Sequence, residues 1–189
     1  MRYIITLALI ATPAVAEVPS VVTDIPPVQS LVAQVMGDLG QPELLLARGA
    51  DEHDFQLKPS QARAVAEAGL VVWVGPELTP WLDSALAVRP AGAAALALLD
   101  AEGTMRRGYG ETAGHDHDHG HDHGAEDPHA WLDPGNAQVW LGLIAAELGR
   151  LDPEHAATYA ANAAAAVEGG PVLDAQVAGL LAPAKDRPF

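Results

Sequence analysis

At 189 residues, 49 % of them hydrophobic and many of these alanine, the chain is long enough to bury a core and too apolar to be a disordered tract. It carries 25 acidic against 10 basic residues, a formal charge of −15, which opposes nucleic acid and anionic membrane as partners and concentrates cations near the surface. It has no cysteine, which excludes disulfide staples and thiolate metal sites, so any metal must be held by nitrogen and oxygen.

The first sixteen residues read as a secretory signal. Met1-Arg2 is a short basic start, residues 3–10 are a compact apolar run, and Pro13-Ala14-Val15-Ala16 ends in an Ala-x-Ala cleavage pattern. Glu17 then becomes the first mature residue, and the loss of Arg2 makes the exported chain one unit more negative. The apolar run is too short for a stable membrane span, and no later segment reads as one, so direct membrane insertion is not expected of the mature chain.

After the signal, residues 18–23 form a short apolar strand. Pro26-Pro27 breaks it and opens a helix with Val28, Leu31, Val32 and Val35 on one face, closed by Gly37 and Gly40. Residues 43–47 are the second strand, and 48–54 a polar loop. Ser60 is expected to cap a helix over 61–68, which Gly69 closes. Leu70-Val71-Val72-Trp73-Val74 is continuously apolar between two glycines, as in a strand buried on both faces of a parallel sheet. Thr79-Pro80 opens a helix through Val88, and residues 94–99 are the fourth strand. Alternation of strands with helices of about ten residues implies βαβ units and a parallel sheet.

Residues 102–127 then make a connection far longer than usual, rich in glycine and histidine, and expected to be disordered over about 103–127. Asp133-Pro134 starts a helix through Leu148, and Asp152-Pro153-Glu154 starts another. Gly169-Gly170-Pro171 is expected to kink or split that last helix before its periodicity resumes at Leu173, Val177, Leu180 and Leu181.

Inside the long connection lies His115-Asp116-His117-Asp118-His119-Gly120-His121-Asp122-His123, which holds five of the eight histidines. Imidazole is the commonest protein ligand for borderline metals, and aspartate adds oxygen donors. A strip of this composition holds several cations weakly, because fixing it in one geometry costs chain entropy. Two single histidines stand out by context. His53 follows the second strand, at the end of a parallel sheet where ligands bind. His129 precedes a helix in a loop stiffened by Pro128 and Pro134. His155, at the first turn of the last helix, reads as a surface residue.

Two segments, Gly49-Ala50-Asp51-Glu52-His53-Asp54-Phe55-Gln56-Leu57-Lys58-Pro59-Ser60 and Asp127-Pro128-His129-Ala130-Trp131-Leu132-Asp133-Pro134, resemble the metal-ligand motifs of the metal-specific (cluster A-I) solute-binding proteins of ABC importers. The acidic His-rich loop between them is similar to that of the zinc-uptake ZnuA type. The resemblance covers essentially the whole mature chain, and it implies two α/β lobes joined by a long helix, with metal between them. His53 and His129 match the two ligands of the N-terminal lobe, and Glu52 is a candidate fourth ligand or a hydrogen-bond partner of an imidazole.

The expected architecture is therefore a signal peptide (1–16), an α/β lobe with a parallel four-stranded sheet and flanking helices (17–151), and an inter-lobe linker helix (152–184). Family members run to around 300 residues, so the second α/β lobe is expected to be missing from this sequence. The implied function is a periplasmic receptor that binds Zn²⁺ as cargo and delivers it to an ABC permease, with the His-Asp run as an accessory. A manganese or iron receptor of the same family, or a stand-alone zinc buffer, are the alternatives. An enzyme is not expected, since neither His-Glu-x-x-His nor Gly-x-Ser-x-Gly occurs.

Overall fold

The computed structural model describes residues 17–46, 49–108 and 126–184. The signal segment and the His-Asp run lie outside the described residues. Four short strands, β1 (Val21–Thr23), β2 (Glu43–Leu44), β3 (Leu70–Trp73) and β4 (Ala94–Ala97), pair in parallel in the order β2-β1-β3-β4. Helices α1 (Pro26–Met36), α2 (Pro59–Glu67), α3 (Pro80–Ala87), α4 (Pro134–Leu151) and α5 (Ala156–Leu181) surround them.

The apolar run of β3 is buried at every position because side chains alternate between faces and both faces are covered. Leu70 and Val72 pack with Val28, Val32 and Val35 of α1, Trp140 and Ile144 of α4 and Tyr159 of α5. Val71 and Trp73 point the other way, to Val22 of β1, Val65 of α2 and Leu82 of α3. Burial of each such aliphatic side chain contributes about 1.5–3 kcal/mol.

A proline stands at the first position of α1, α2, α3 and α4, where its missing N–H costs nothing and its fixed φ suits the helix. The cap of α2 differs from expectation. Lys58 is the capping position and Ser60 lies inside the first turn, because Gln61 Oε1 accepts the Lys58 N–H at 2.9 Å. Gly37 ends α1 with φ of 55°, and a Cβ there would stand 2.8 Å from the Asn162 amide of α5. That amide in turn donates to the Val35 carbonyl at 3.0 Å, so the end of α1 is stapled to α5.

Three features depart from the sequence reading or extend it. Arg107–Gly108 and Glu126–Asp127 form an antiparallel pair, β5 and β6, at the two roots of the long connection. Helix α5 is not split at Gly169-Gly170-Pro171. A proline inside a helix costs about 3 kcal/mol by leaving the carbonyl four residues earlier, here that of the half-buried Val167, without its donor, yet the helix continues past Pro171 as an exposed stretch over residues 171–181.

Finally, Asp24 is fully buried at the end of β1, where the strand order reverses direction. One carboxylate oxygen accepts the Ile25 N–H at 2.8 Å; the other accepts the Val74 N–H at 2.8 Å and the Thr79 hydroxyl at 3.2 Å. The carboxylate thereby ties the ends of β1 and β3 together. Burial pushes its pKa up to about 6, against the pull of these three donors.

Candidate metal centre

Two chain segments build the site, one following β2 of the parallel sheet and the other following β6 of the separate two-stranded pair. The first follows β2. Asp51 Oδ1 accepts the His53 backbone N–H at 2.8 Å, a local turn that needs no regular structure. The indole N–H of Trp81, in α3, donates to the Glu52 carbonyl at 2.8 Å. Phe55 meets the same indole edge-to-face at 5.1 Å, which pins the loop to α3.

The second segment runs from Asp127 in β6 to Asp133 at the cap of α4. Asp127 Oδ1 accepts both the backbone N–H of His129, at 3.0 Å, and its ring Nδ1–H, at 2.7 Å. The His129 backbone N–H is the main reason that the Asp127 carboxyl is held below its usual range; the imidazole and the charge of Arg107 add to it. Residues Ala130–Leu132 form a single 3₁₀ turn. Asp133 Oδ1 then accepts the Gly135 N–H at 2.8 Å, and Asp133 Oδ2 pairs with Arg107 at 3.3 Å.

Asn136, 2 % exposed, locks this segment to the hairpin. Its amide donates to the carbonyls of Met105 and Ala130 at 2.9 and 3.0 Å, and its oxygen accepts the Met105 N–H at 2.7 Å.

The folding of these segments brings Glu52, His53 and His129 together, each with one candidate donor atom, all within 4.8 Å of one another. The two imidazoles meet edge-to-face with centroids 5.4 Å apart. In a tetrahedral site with Zn–N of 2.0–2.1 Å, two nitrogens stand about 3.3 Å apart. His53 is exposed, and Glu52 and His129 are half-buried, so the donors open toward solvent. Two imidazoles and a carboxylate suit a borderline divalent ion with room for a further ligand.

Of the other sequence-level candidates, His115, Asp116, His117, Asp118, His119, His121, Asp122 and His123 lie outside the described residues. His155 is not a bare surface residue. Its Nδ1 lies 2.7 Å from Oδ2 of the buried Asp152, which also accepts the Tyr159 hydroxyl at 2.8 Å. Burial works to raise the Asp152 pKa, but the Tyr159 and His155 hydrogen bonds outweigh it and hold the group low. Burial and the Asp152 carboxylate together push the Tyr159 phenol up. This triad joins the end of α4 to α5 and shares no residue with the Glu52, His53 and His129 cluster. The roles of Asp127, Asn136 and Trp81 escaped the sequence reading; the Asp-x-His spacing that Asp51-Glu52-His53 and Asp127-Pro128-His129 share is the signal that could have found the aspartates.

No helix among the described residues is long and apolar enough to cross a membrane. The family model described as zinc-uptake complex component A, periplasmic, matches residues 21–189. The high-affinity zinc uptake system protein ZnuA of Paracoccus denitrificans is 48 % identical over 209 residues, covering 97 % of this chain and 63 % of that protein. Its namesake from Brucella abortus (strain 2308) is 37 % identical, covering 92 % and 61 %. The chain thus spans about three-fifths of the length of these relatives. The crystal structure of the Zn(II)-bound ZnuA-like domain of Streptococcus pneumoniae AdcA superposes with a TM-score of 0.68 at 25 % identity, covering 85 % of this chain and 55 % of that one. With a match from residue 21 to residue 189 and nearly half its residues identical to a zinc-uptake protein, the chain belongs to the zinc-uptake complex component A family.

Proposed function

We propose that this chain is part of an exported, periplasmic zinc receptor that binds Zn²⁺ as cargo through His53, His129 and Glu52 and delivers it to an ABC permease. The observation that carries the reading is the convergence of those three donors within 4.8 Å from segments more than seventy residues apart. Family membership supports zinc as the ion and a membrane permease as the partner. Residues 1–16 act as the export signal, 17–151 as the metal-binding lobe and 152–184 as the linker helix. The run from His115 to His123 acts as an accessory that collects zinc. The role is binding and handover, with no reaction at the site.

Zinc titration with a competing chelator tests this directly. The full chain is expected to show one tight site plus several weaker ones. Deleting residues 114–124 is expected to remove the weaker sites and keep the tight one; loss of all binding would refute the assignment. The carboxylate of Glu52 is the one feature that favours a manganese or iron receptor, since those ions take oxygen-rich sites. Competition at equal concentrations decides, with zinc expected to displace manganese. Restoration of growth under zinc starvation, dependent on the permease, separates a delivering receptor from a buffer.

A further inference from the structure

We infer that Asp127 is a positioning residue of the metal centre: it selects the ring nitrogen His129 presents and holds that ring in place before any metal arrives. The inference rests on the proposed role of His129 as a ligand. Its basis is the paired contact of one carboxylate oxygen with both the backbone N–H and the ring Nδ1 of His129, at 3.0 and 2.7 Å. A carboxylate only accepts, so Nδ1 must carry the proton in the neutral ring. The lone pair then sits on Nε2, which has no hydrogen-bond partner among the described residues. Without the carboxylate, His129 is free to take the opposite tautomer, which places a proton where the metal must bind.

The aspartate is itself held. It sits in β6, in register with Arg107 of β5, and Arg107 reaches Asp133 at the other end of the segment. The seven residues 127–133 are thus fastened at both ends, by an aspartate on the ring and an aspartate on the cap of α4. The other histidine lacks this arrangement. Asp51 accepts the His53 backbone N–H but not its ring. The metal centre is therefore asymmetric, with one pre-set donor and one that settles when the ion arrives. Outer carboxylates of this kind change metal affinity by about 10–100-fold.

Nitrogen-15 NMR of the histidine-labelled full chain, without metal and above the titration range of imidazole, reads the tautomer. His129 is expected to be protonated at Nδ1 in the wild type and to shift toward the Nε2-protonated form in Asp127→Ala. Asp127→Asn keeps an acceptor oxygen for the backbone and the ring without the charge, which covers the possibility that the alanine variant misfolds. Zinc at the tight site is expected to weaken by about 10–100-fold in Asp127→Ala and by less in Asp127→Asn. A wild-type His129 protonated at Nε2 would overturn the inference. So would unchanged affinity in folded Asp127→Ala while His129→Ala still abolishes the tight site. If His129→Ala leaves tight binding intact, the underlying ligand assignment fails instead, and the tautomer measurement still decides what Asp127 does to the ring.

Discussion

Segment 127–133 holds its histidine by the ring, whereas segment 49–55 holds its histidine by the backbone alone. The first is clasped between a hairpin and the start of α4, with the buried Asn136 beneath it. The second is a loop fixed through Trp81 and Phe55, and its histidine is exposed. The difference shows where the ordering cost of binding falls. A donor already fixed by a charged hydrogen bond loses little freedom when it meets an ion, while an exposed ring must be ordered at that moment. In the proposed metal site, the better-held histidine would set the place of the ion and the freer one would adapt to it.

The largest expected effect comes from deleting the donors. His129→Ala is expected to abolish the tight zinc site in a chelator competition, and His53→Ala to weaken it but leave measurable binding. Equal losses in the two variants would break the asymmetry. A second effect belongs to the scaffold under both segments. Asp24 has a folded pKa of about 6 against an unfolded value of 3.8, so the folded protein takes up a proton more readily. That stabilising contribution is complete below pH 3.8 and is lost as the pH rises through about 6. Urea unfolding between pH 4 and 7 is expected to show wild-type stability falling relative to Asp24→Asn by roughly 2 kcal/mol. A flat difference would mean that Asp24 is not the buried titrating group.

Smaller effects sharpen the comparison. Trp81→Phe removes the hydrogen bond to the Glu52 carbonyl but keeps an aromatic ring against Phe55. It is expected to cost about 1 kcal/mol of stability and to loosen only the His53 segment, visible as faster amide exchange at residues 51–55 with 127–133 unchanged. Arg107→Ala is expected to shift stability by no more than about 0.5 kcal/mol, because its ion pair with Asp133 is largely solvated. A loss above 1 kcal/mol in thermal or urea melts would show that the hairpin clasp depends on that pair.

Much of this arrangement was legible in the residues. The run at Leu70 to Trp73 announced a strand buried on both faces, and the prolines at 26, 80 and 134 marked helix starts. His53 and His129 stood out because each lay in a short, stiff, polar loop beside a regular element. Glu52 was visible only as a neighbour of His53, and the geometry brings its carboxylate within reach of both rings. Other features left no local trace. Asp24 follows a three-residue strand in an ordinary-looking turn, and its partners Val74 and Thr79 lie about fifty residues away. His155 looked like surface because its partner Asp152 looked like a helix cap, while burial turned both toward Tyr159. The strands β5 and β6 are two residues each, too short for any periodic signal.

The sequence by itself determined the order of the four parallel strands and the five helices, the acidic and cysteine-free composition, and the two histidines singled out as candidate donors. Those properties are local: periodicity, proline and glycine placement and residue type act within a few positions. Only the tertiary structure decided that His53 and His129 meet, that Glu52 joins them, and which nitrogen of His129 is tied to Asp127. The physical reason is that these outcomes depend on packing between elements distant in the chain. The loop after β2 starts from the parallel sheet, and a buried asparagine and the short β5–β6 pair hold the segment that brings His129 to it.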